Sequence, residues 1–275
     1  MTTQPINYTP DSSTENKNLV ASEQWDASWA SVDAPLRLRP WRDYVSWRFA
    51  KLFRQYIKPG DRVLEVGCGG SRFLPYFAKD LGAEVWGFDF APAGVASARA
   101  ALKRAGASGK IMQADLFSTE EVPAGYFDVV FSGGFIEHFE DTEGVVNHIV
   151  RFAKPDTGLI ITEIPHVTGW MFRKLQRRLD QTIFDQHIPV TAQAMDAAHV
   201  EAGAEVVRRA AGFGSLGIGV LNYNRLLPGA AKGVVRRCLE IPQALLTAPL
   251  WLMRTECESD TFSPFLVGVY RRRAN

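Results

Sequence analysis

The apolar positions of this chain fall into short continuous runs separated by helical stretches. The runs are Arg62–Val66 (RVLEV), Glu84–Phe88 (EVWGF), Lys110–Ala114 (KIMQA), Phe127–Ser132 (FDVVFS) and Gly158–Glu163 (GLIITE). Near-continuous hydrophobicity is the pattern of strands covered on both faces, because a half-exposed strand alternates polar with apolar residues. Between them, residues 73–80, 91–106 and about 142–153 predict helices. Strand and helix in alternation predict a parallel sheet with helices on both sides.

The flanks read differently. Residues 1–18 are polar and predict a disordered tail. An aromatic-rich stretch follows, with Trp25, Trp29, Trp41, Tyr44 and Trp47. Val45, Phe49, Leu52, Phe53 and Tyr56 recur at three- and four-residue steps, which predicts a helix over 41–57 stopped by Lys58-Pro59-Gly60-Asp61. Past Glu163, Met171, Phe172, Leu175 and Leu179 make one apolar helical stripe, with Arg173, Lys174, Arg177 and Arg178 opposite. Residues 191–202 predict a helix and 205–210 a sixth strand. Residues 216–253 read as an apolar, proline-interrupted insert, and 264–271 (PFLVGVYR) as a closing edge strand. His148 and His199 read as ordinary helix-surface residues.

Composition narrows the class. With 275 residues, 46% hydrophobic, the chain can bury a full core in one large domain. Its 31 basic and 30 acidic residues leave a charge of +1, so no global field is available to hold a nucleic-acid backbone. Three cysteines (Cys68, Cys238, Cys257) form no CxxC pair, which suggests a reducing compartment without structural zinc. The start lacks a signal-peptide pattern, and the longest apolar run, 244–253, is broken by Pro249 and is too short to span a bilayer. A soluble, cytoplasmic protein is expected.

Chemistry concentrates at the strand ends. The first strand exits into Gly67-Cys68-Gly69-Gly70-Ser71, a turn that lets backbone approach a ligand closely. Arg72 stands where a GxGxxG dinucleotide fingerprint needs glycine, and no Gly-Lys-Ser or Gly-Lys-Thr phosphate loop follows. Asp89, about 20 residues beyond the turn at the end of the second strand, is suited to the two hydroxyls of a ribose. Asp115, after the third strand, is suited to an exocyclic amine. Alone, each Asp is an ordinary turn or cap residue. Together they line the rim at which open parallel sheets bind ligands.

The run 63–115 resembles the class I S-adenosylmethionine-dependent methyltransferases. The resemblance, over about residues 60–165, implies a Rossmann-like, doubly wound, mostly parallel seven-stranded sheet with an antiparallel last strand. It also implies an N-terminal helical lid (19–59), a cofactor core (60–165) and acceptor-side elements (166–275) within one domain. S-adenosylmethionine is the implied cofactor. Glu65, Gly67 and Gly69 would hold its methionine end, Asp89 its ribose and Asp115 its adenine amine. Phe90, Leu116 and Ser132 would complete the pocket. The family's third glycine falls on Ser71.

The sulfonium is already activated, so orientation carries most of the catalysis and a base helps where the acceptor must lose a proton. Glu137-His138 resembles the EH pair of the ubiquinone-biosynthesis O-methyltransferases, which hold a divalent metal with a further Glu three residues earlier. Gly134 occupies that position, so no metal is expected. His166, at the exit of the fifth strand, is the other candidate base. Trp29, Trp41, His187 and Tyr223 are the candidate acceptor contacts. The expected activity is O-methylation of a small hydrophobic or aromatic metabolite, with N- or C-methylation next. A macromolecular or lipid acceptor and a silent cofactor-binding relative stand as alternatives. No nucleic-acid partner is expected, peripheral membrane contact is not favoured, and a homodimer stays open.

Overall fold

The computed structural model describes residues 18–30, 37–170, 172–216 and 230–274. The tail expected over 1–18 therefore lies outside them except for Asn18, which forms an isolated bridge with Phe139. Seven strands form one sheet in the order β3-β2-β1-β4-β5-β7-β6. They are β1 (Arg62–Val66), β2 (Glu84–Asp89), β3 (Lys110–Gln113), β4 (Val129–Gly133), β5 (Leu159–Pro165), β6 (Ala204–Phe213) and β7 (Phe265–Arg272). Strands β1 to β5 pair in parallel, and β7 runs antiparallel to both β5 and β6.

The closing strand is not at the edge. It lies between β5 and β6, and β3 and β6 are the edges. Its sequence contains the reason: Leu266, Val267, Val269 and Tyr270 are all buried, which requires cover on both faces and a partner on each side.

Neighbouring residues of one strand feed opposite cores, as the two-residue repeat requires. Leu64, Val130 and Ile160 pack on one face with Phe88, Ile149 and Phe152. Val63, Val129 and Ile161 pack on the other with Phe53, Phe77 and Val267. Each fully buried aliphatic or aromatic side chain contributes about 1.5–3 kcal/mol relative to exposure.

Helix α1 spans Ser22–Ala30 and α2 Tyr44–Tyr56. The latter starts at Asp43, whose carboxylate accepts from the Ser46 amide at 2.7 Å. Its Phe53 meets Phe77 and Phe131 with ring centroids 4.7 and 5.3 Å apart. Helices α3 (Leu74–Asp80) and α4 (Pro92–Ala105) follow β1 and β2. Helix α4 begins with proline and ends at Gly106 in the left-handed conformation, φ +63°. Helix α5 spans Thr142–Val150.

The stripe expected from residue 171 forms a π-helical turn, Phe172–Gln176, that runs into α6 (Arg177–Leu179) and then α7 (Gln181–Asp185). Arg173, Lys174, Arg177 and Arg178 are exposed along it. Helix α8 spans Ala192–Glu201. Its His199 is not a surface residue. It is fully buried, with its ring stacked on Tyr270 at 3.7 Å and its nitrogens bonded to Thr162 Oγ1 and the Met195 carbonyl. The position faces the β5–β7 sheet, which an apolar-pattern reading cannot distinguish from solvent for a lone polar residue. His148 is half-buried against Phe117.

Of the apolar insert, residues 217–229 lie outside the described residues, and most of the rest forms α9 (Ala230–Leu252), which runs through Pro242 and Pro249. No helix among the described residues is long and apolar enough to cross a membrane.

Candidate active site

The parallel sheet places the ends of β1, β2, β3 and β4 along one rim, and the predicted residues gather there. Backbone leaving β1 turns through Gly67 and Gly70 at φ +69° and +64°, a region costly for residues with a Cβ. Gly69 is a glycine for space. A Cβ there would lie 2.6 Å from Trp29 Nε1 and 2.8 Å from Asp89 Oδ2. Asp89 is buried and holds this turn directly, accepting the Gly69 amide at 2.7 Å and the Ala91 amide at 2.9 Å. Burial pushes its carboxyl up to about 6, against the lowering effect of those two amides.

Glu65 lies beneath the turn, buried, and accepts from Ser71 Oγ at 2.6 Å. Burial pushes its carboxyl up to about 8. Ser71 is more than a substitute for glycine. Its Oγ also takes the Phe73 and Leu74 amides, so one hydroxyl caps α3 and fixes Glu65. Its place three residues before Leu74 was the available signal.

At the third strand end, Asp115 does what an isolated Asp in a turn does, accepting the Phe117 amide at 2.9 Å. It is half-buried, beside buried Leu116. Phe90 is half-buried, with its carbonyl bonded to Gln113. Ser132, in β4, is fully buried, and its Oγ has no hydrogen-bond partner among the described residues.

Helix α1 closes over this rim. Trp29 rests on Gly69, Gly70 and Gly94, and Asp26 accepts the Ala93 amide at 2.7 Å, pinning α1 to the start of α4. From Trp29 a line of rings leads away. Trp25 stacks on Trp29 at 5.8 Å and meets His138 edge-on at 5.1 Å. His138 lies 4.8 Å from His187, which in turn meets Phe172 at 5.5 Å. Trp29 and His187, predicted as acceptor contacts, thus belong to one row. Trp41 is 59% exposed and outside it, and Tyr223 lies outside the described residues. Asp26 was missed, because nothing in a helical pattern marks a polar residue that reaches the amide of another helix.

The candidate catalytic residues fall in two places. Glu137 and His138 occupy a 3-10 turn after β4. Glu137 is fully buried with neither carboxylate oxygen hydrogen-bonded. Burial, then the nearby Glu163, hold its carboxyl well above the usual carboxylate range. Glu163 is itself pushed up to about 8 by burial and then by Glu65. Burial, then His187, push His138 down to about 4. His166, past β5, is 5% exposed, and its Nδ1 donates to the Ser263 carbonyl at 3.0 Å. Burial lowers its pKa as well.

The rim fits the expected cofactor. Glycine turn, anchored Asp89 and buried Glu65 offer backbone amides and carboxylates where a cationic, ribose-bearing ligand needs them. A protein-family profile described as a methyltransferase domain matches residues 64–161. The ribosomal protein L11 methyltransferase of Thermosipho africanus is 34% identical over 116 residues, 42% of each chain. The ubiquinone biosynthesis O-methyltransferase of Hahella chejuensis is 32% identical over 132 residues, covering 48% of this chain and 55% of that one. The chain thus spans about half the length of these curated relatives. Among solved structures, the [4+2]-cyclase SpnF superposes with a TM-score of 0.59 at 15% identity, over 93% of this chain and 98% of the other, a likeness of fold. Residues 64–161 are thus similar to a methyltransferase domain, and the fold and the rim chemistry agree with the class I S-adenosylmethionine-dependent methyltransferases, whose cofactor is S-adenosylmethionine.

Proposed function

We propose that this protein transfers the methyl group of S-adenosylmethionine to a small hydrophobic or aromatic acceptor, with a hydroxyl oxygen as the methylated atom. The observation that carries this reading is the row of rings from Trp29 through Trp25, His138 and His187 to Phe172. It begins on the glycine turn that would hold the cofactor and offers flat, apolar surface with a few polar edges, the lining that small aromatic ligands need. The name of the Hahella relative, an O-methyltransferase of a biosynthetic pathway, favours the same acceptor atom.

In the reaction, an acceptor oxygen lone pair forms the new C–O bond while the C–S⁺ bond breaks and S-adenosylhomocysteine leaves as a neutral thioether. Glu65 and Asp89 hold the cofactor, Asp115 takes the adenine amine, and the lid excludes water. The acceptor hydroxyl is placed beside the Glu137–His138–His187 corner, and His166, on the loop after β5, is the group that takes its proton. Rate comes chiefly from holding oxygen, methyl and sulfur in line.

The test is to incubate the protein with S-adenosylmethionine and a panel of phenols, catechols and aliphatic alcohols, and to follow both S-adenosylhomocysteine and methylated product by mass spectrometry. Methylated phenol or catechol supports the reading, and product confined to amines or proteins contradicts it. One rival is a relative that binds the cofactor and transfers no methyl, since the same fold also occurs in a [4+2]-cyclase. This rival predicts tight cofactor binding with no S-adenosylhomocysteine formed from any acceptor.

A further inference from the structure

We infer that Glu137, His138 and His187 form a binding site for one divalent transition-metal ion of the zinc class, with His187 supplying the ligand that the local sequence lacks. Sequence around the EH pair argued against a metal, because Gly134 replaces the third ligand. The fold brings a replacement from about fifty residues further on. One ligand atom from each of Glu137, His138 and His187 lies within 4.8 Å of the other two. His138 Nε2 is already 3.7 Å from Glu137 Oε1. Bonds of about 2.0–2.2 Å to a tetrahedral zinc put ligand atoms roughly 3.3–3.5 Å apart, so small side-chain movements close the set.

Three further observations point at an ion rather than at a chance cluster. Both oxygens of the fully buried Glu137 carboxylate lack a hydrogen-bond partner. A native fold seldom leaves such a group unsatisfied, and a cation satisfies both oxygens at once. His138 Nδ1 donates to the Gln186 carbonyl at 2.9 Å, and His187 Nδ1 donates to the Ile183 carbonyl at 2.6 Å. Each ring is thereby fixed in the tautomer whose Nε2 carries a free lone pair, the outer arrangement typical of metal-bound histidine. The backbone closes the corner, since the Ile188 amide donates to the Glu137 carbonyl at 2.7 Å. Two imidazoles and one carboxylate suit zinc, cobalt, nickel or iron, whereas magnesium favours six oxygens. Three protein ligands leave a fourth coordination position for another ligand, and Trp25 of the ring row lies edge-on against His138. There a bound ion would lower the pKa of an acceptor hydroxyl.

The site lies in the row of rings on which the proposed acceptor rests, but its test reads binding, so its failure and the failure of methyl transfer are separable. Tag-free protein stripped with chelator is titrated with zinc chloride by calorimetry, and cobalt(II) is added separately to follow visible absorption. The expected result is one equivalent of zinc bound tighter than 1 μM, on the order of 8 kcal/mol or more, with cobalt bands as intense as those of four- or five-coordinate centres. His187→Ala and His138→Ala should each weaken zinc at least tenfold while leaving S-adenosylhomocysteine affinity intact, which also verifies their folding. Absence of zinc binding, binding unchanged in both variants, or tighter binding of magnesium than of zinc would each overturn the assignment.

Discussion

At the scale of single residues, the carboxyls under the rim are governed by burial. Glu65 stays protonated in the fold up to about pH 8, against an ordinary value of 4.5. A raised native pKa means stabilisation that is complete below about pH 4.5 and lost as pH rises through about 8. Glu65→Gln keeps a hydrogen-bond acceptor for Ser71 but cannot ionise. The cofactor-free variant should therefore gain on wild type between pH 5 and pH 9, by about 2–4 kcal/mol at the top of that range. Thermal melts across that range check this, and a constant difference between the two proteins would refute the burial argument. Cofactor binding should run the opposite way with pH. In the proposed placement an ionised Glu65 would attract the cofactor's ammonium group, so affinity should rise from pH 6 to pH 8 with release of a proton. Calorimetry in buffers of different ionisation enthalpy measures that proton directly, and proton uptake would contradict the role given to Glu65. Asp89 and Asp115 stand out in sequence because each follows an apolar run, whereas Glu65, inside the run Arg62–Val66, is singled out by the resemblance alone. The link from Ser71 to Glu65 was not legible, because a hydroxyl in a glycine turn can point several ways.

At the scale of elements, two attachments matter most. Helix α1 is held by Asp26 at α4 and seats Trp29 over the glycine turn of the proposed cofactor site. Trp29→Ala should speed cofactor association several-fold in stopped-flow fluorescence, read through the remaining tryptophans, and an unchanged rate would remove Trp29 from the entry path. Helix α2 is held by the buried Arg48, whose guanidinium meets Glu258 at 2.5 Å and Glu256 at 2.9 Å on the segment before β7. Arg48→Ala removes the buried cation and its charge-assisted hydrogen bonds, while Glu258 and Glu256 keep Arg208 and Lys51, so the variant should lose about 1.5–3 kcal/mol in urea unfolding. The loss should come without change in S-adenosylhomocysteine affinity of the folded protein, and a loss below 1 kcal/mol would mean that solvent carries the charge. Strand and helix positions between residues 62 and 163 were readable because each is a local pattern. The interior place of β7 and the burial of His199 were not, since both depend on which distant strand lies alongside.

For the whole molecule, the doubly wound sheet followed from the alternation of buried strands and helices, and the order β3-β2-β1-β4-β5-β7-β6 explains why the chemistry meets at one rim. Parallel strands must all end on the same side, and the glycine turn, Asp89 and Asp115 are such ends. The acceptor side was less readable. Its ring row joins Trp29 of α1, His138 after β4 and His187 after α7, three segments whose meeting is a property of the fold alone. The central claim is that this rim holds S-adenosylmethionine. Its most direct test is isothermal titration of the full chain with S-adenosylmethionine and, separately, with S-adenosylhomocysteine, alongside Asp89→Ala. The account predicts one site of micromolar affinity for each ligand, weakened about 100-fold when two charge-assisted hydrogen bonds to ribose are lost. A folded wild-type protein that binds neither ligand, or an Asp89→Ala variant that binds both as tightly as wild type, would contradict it.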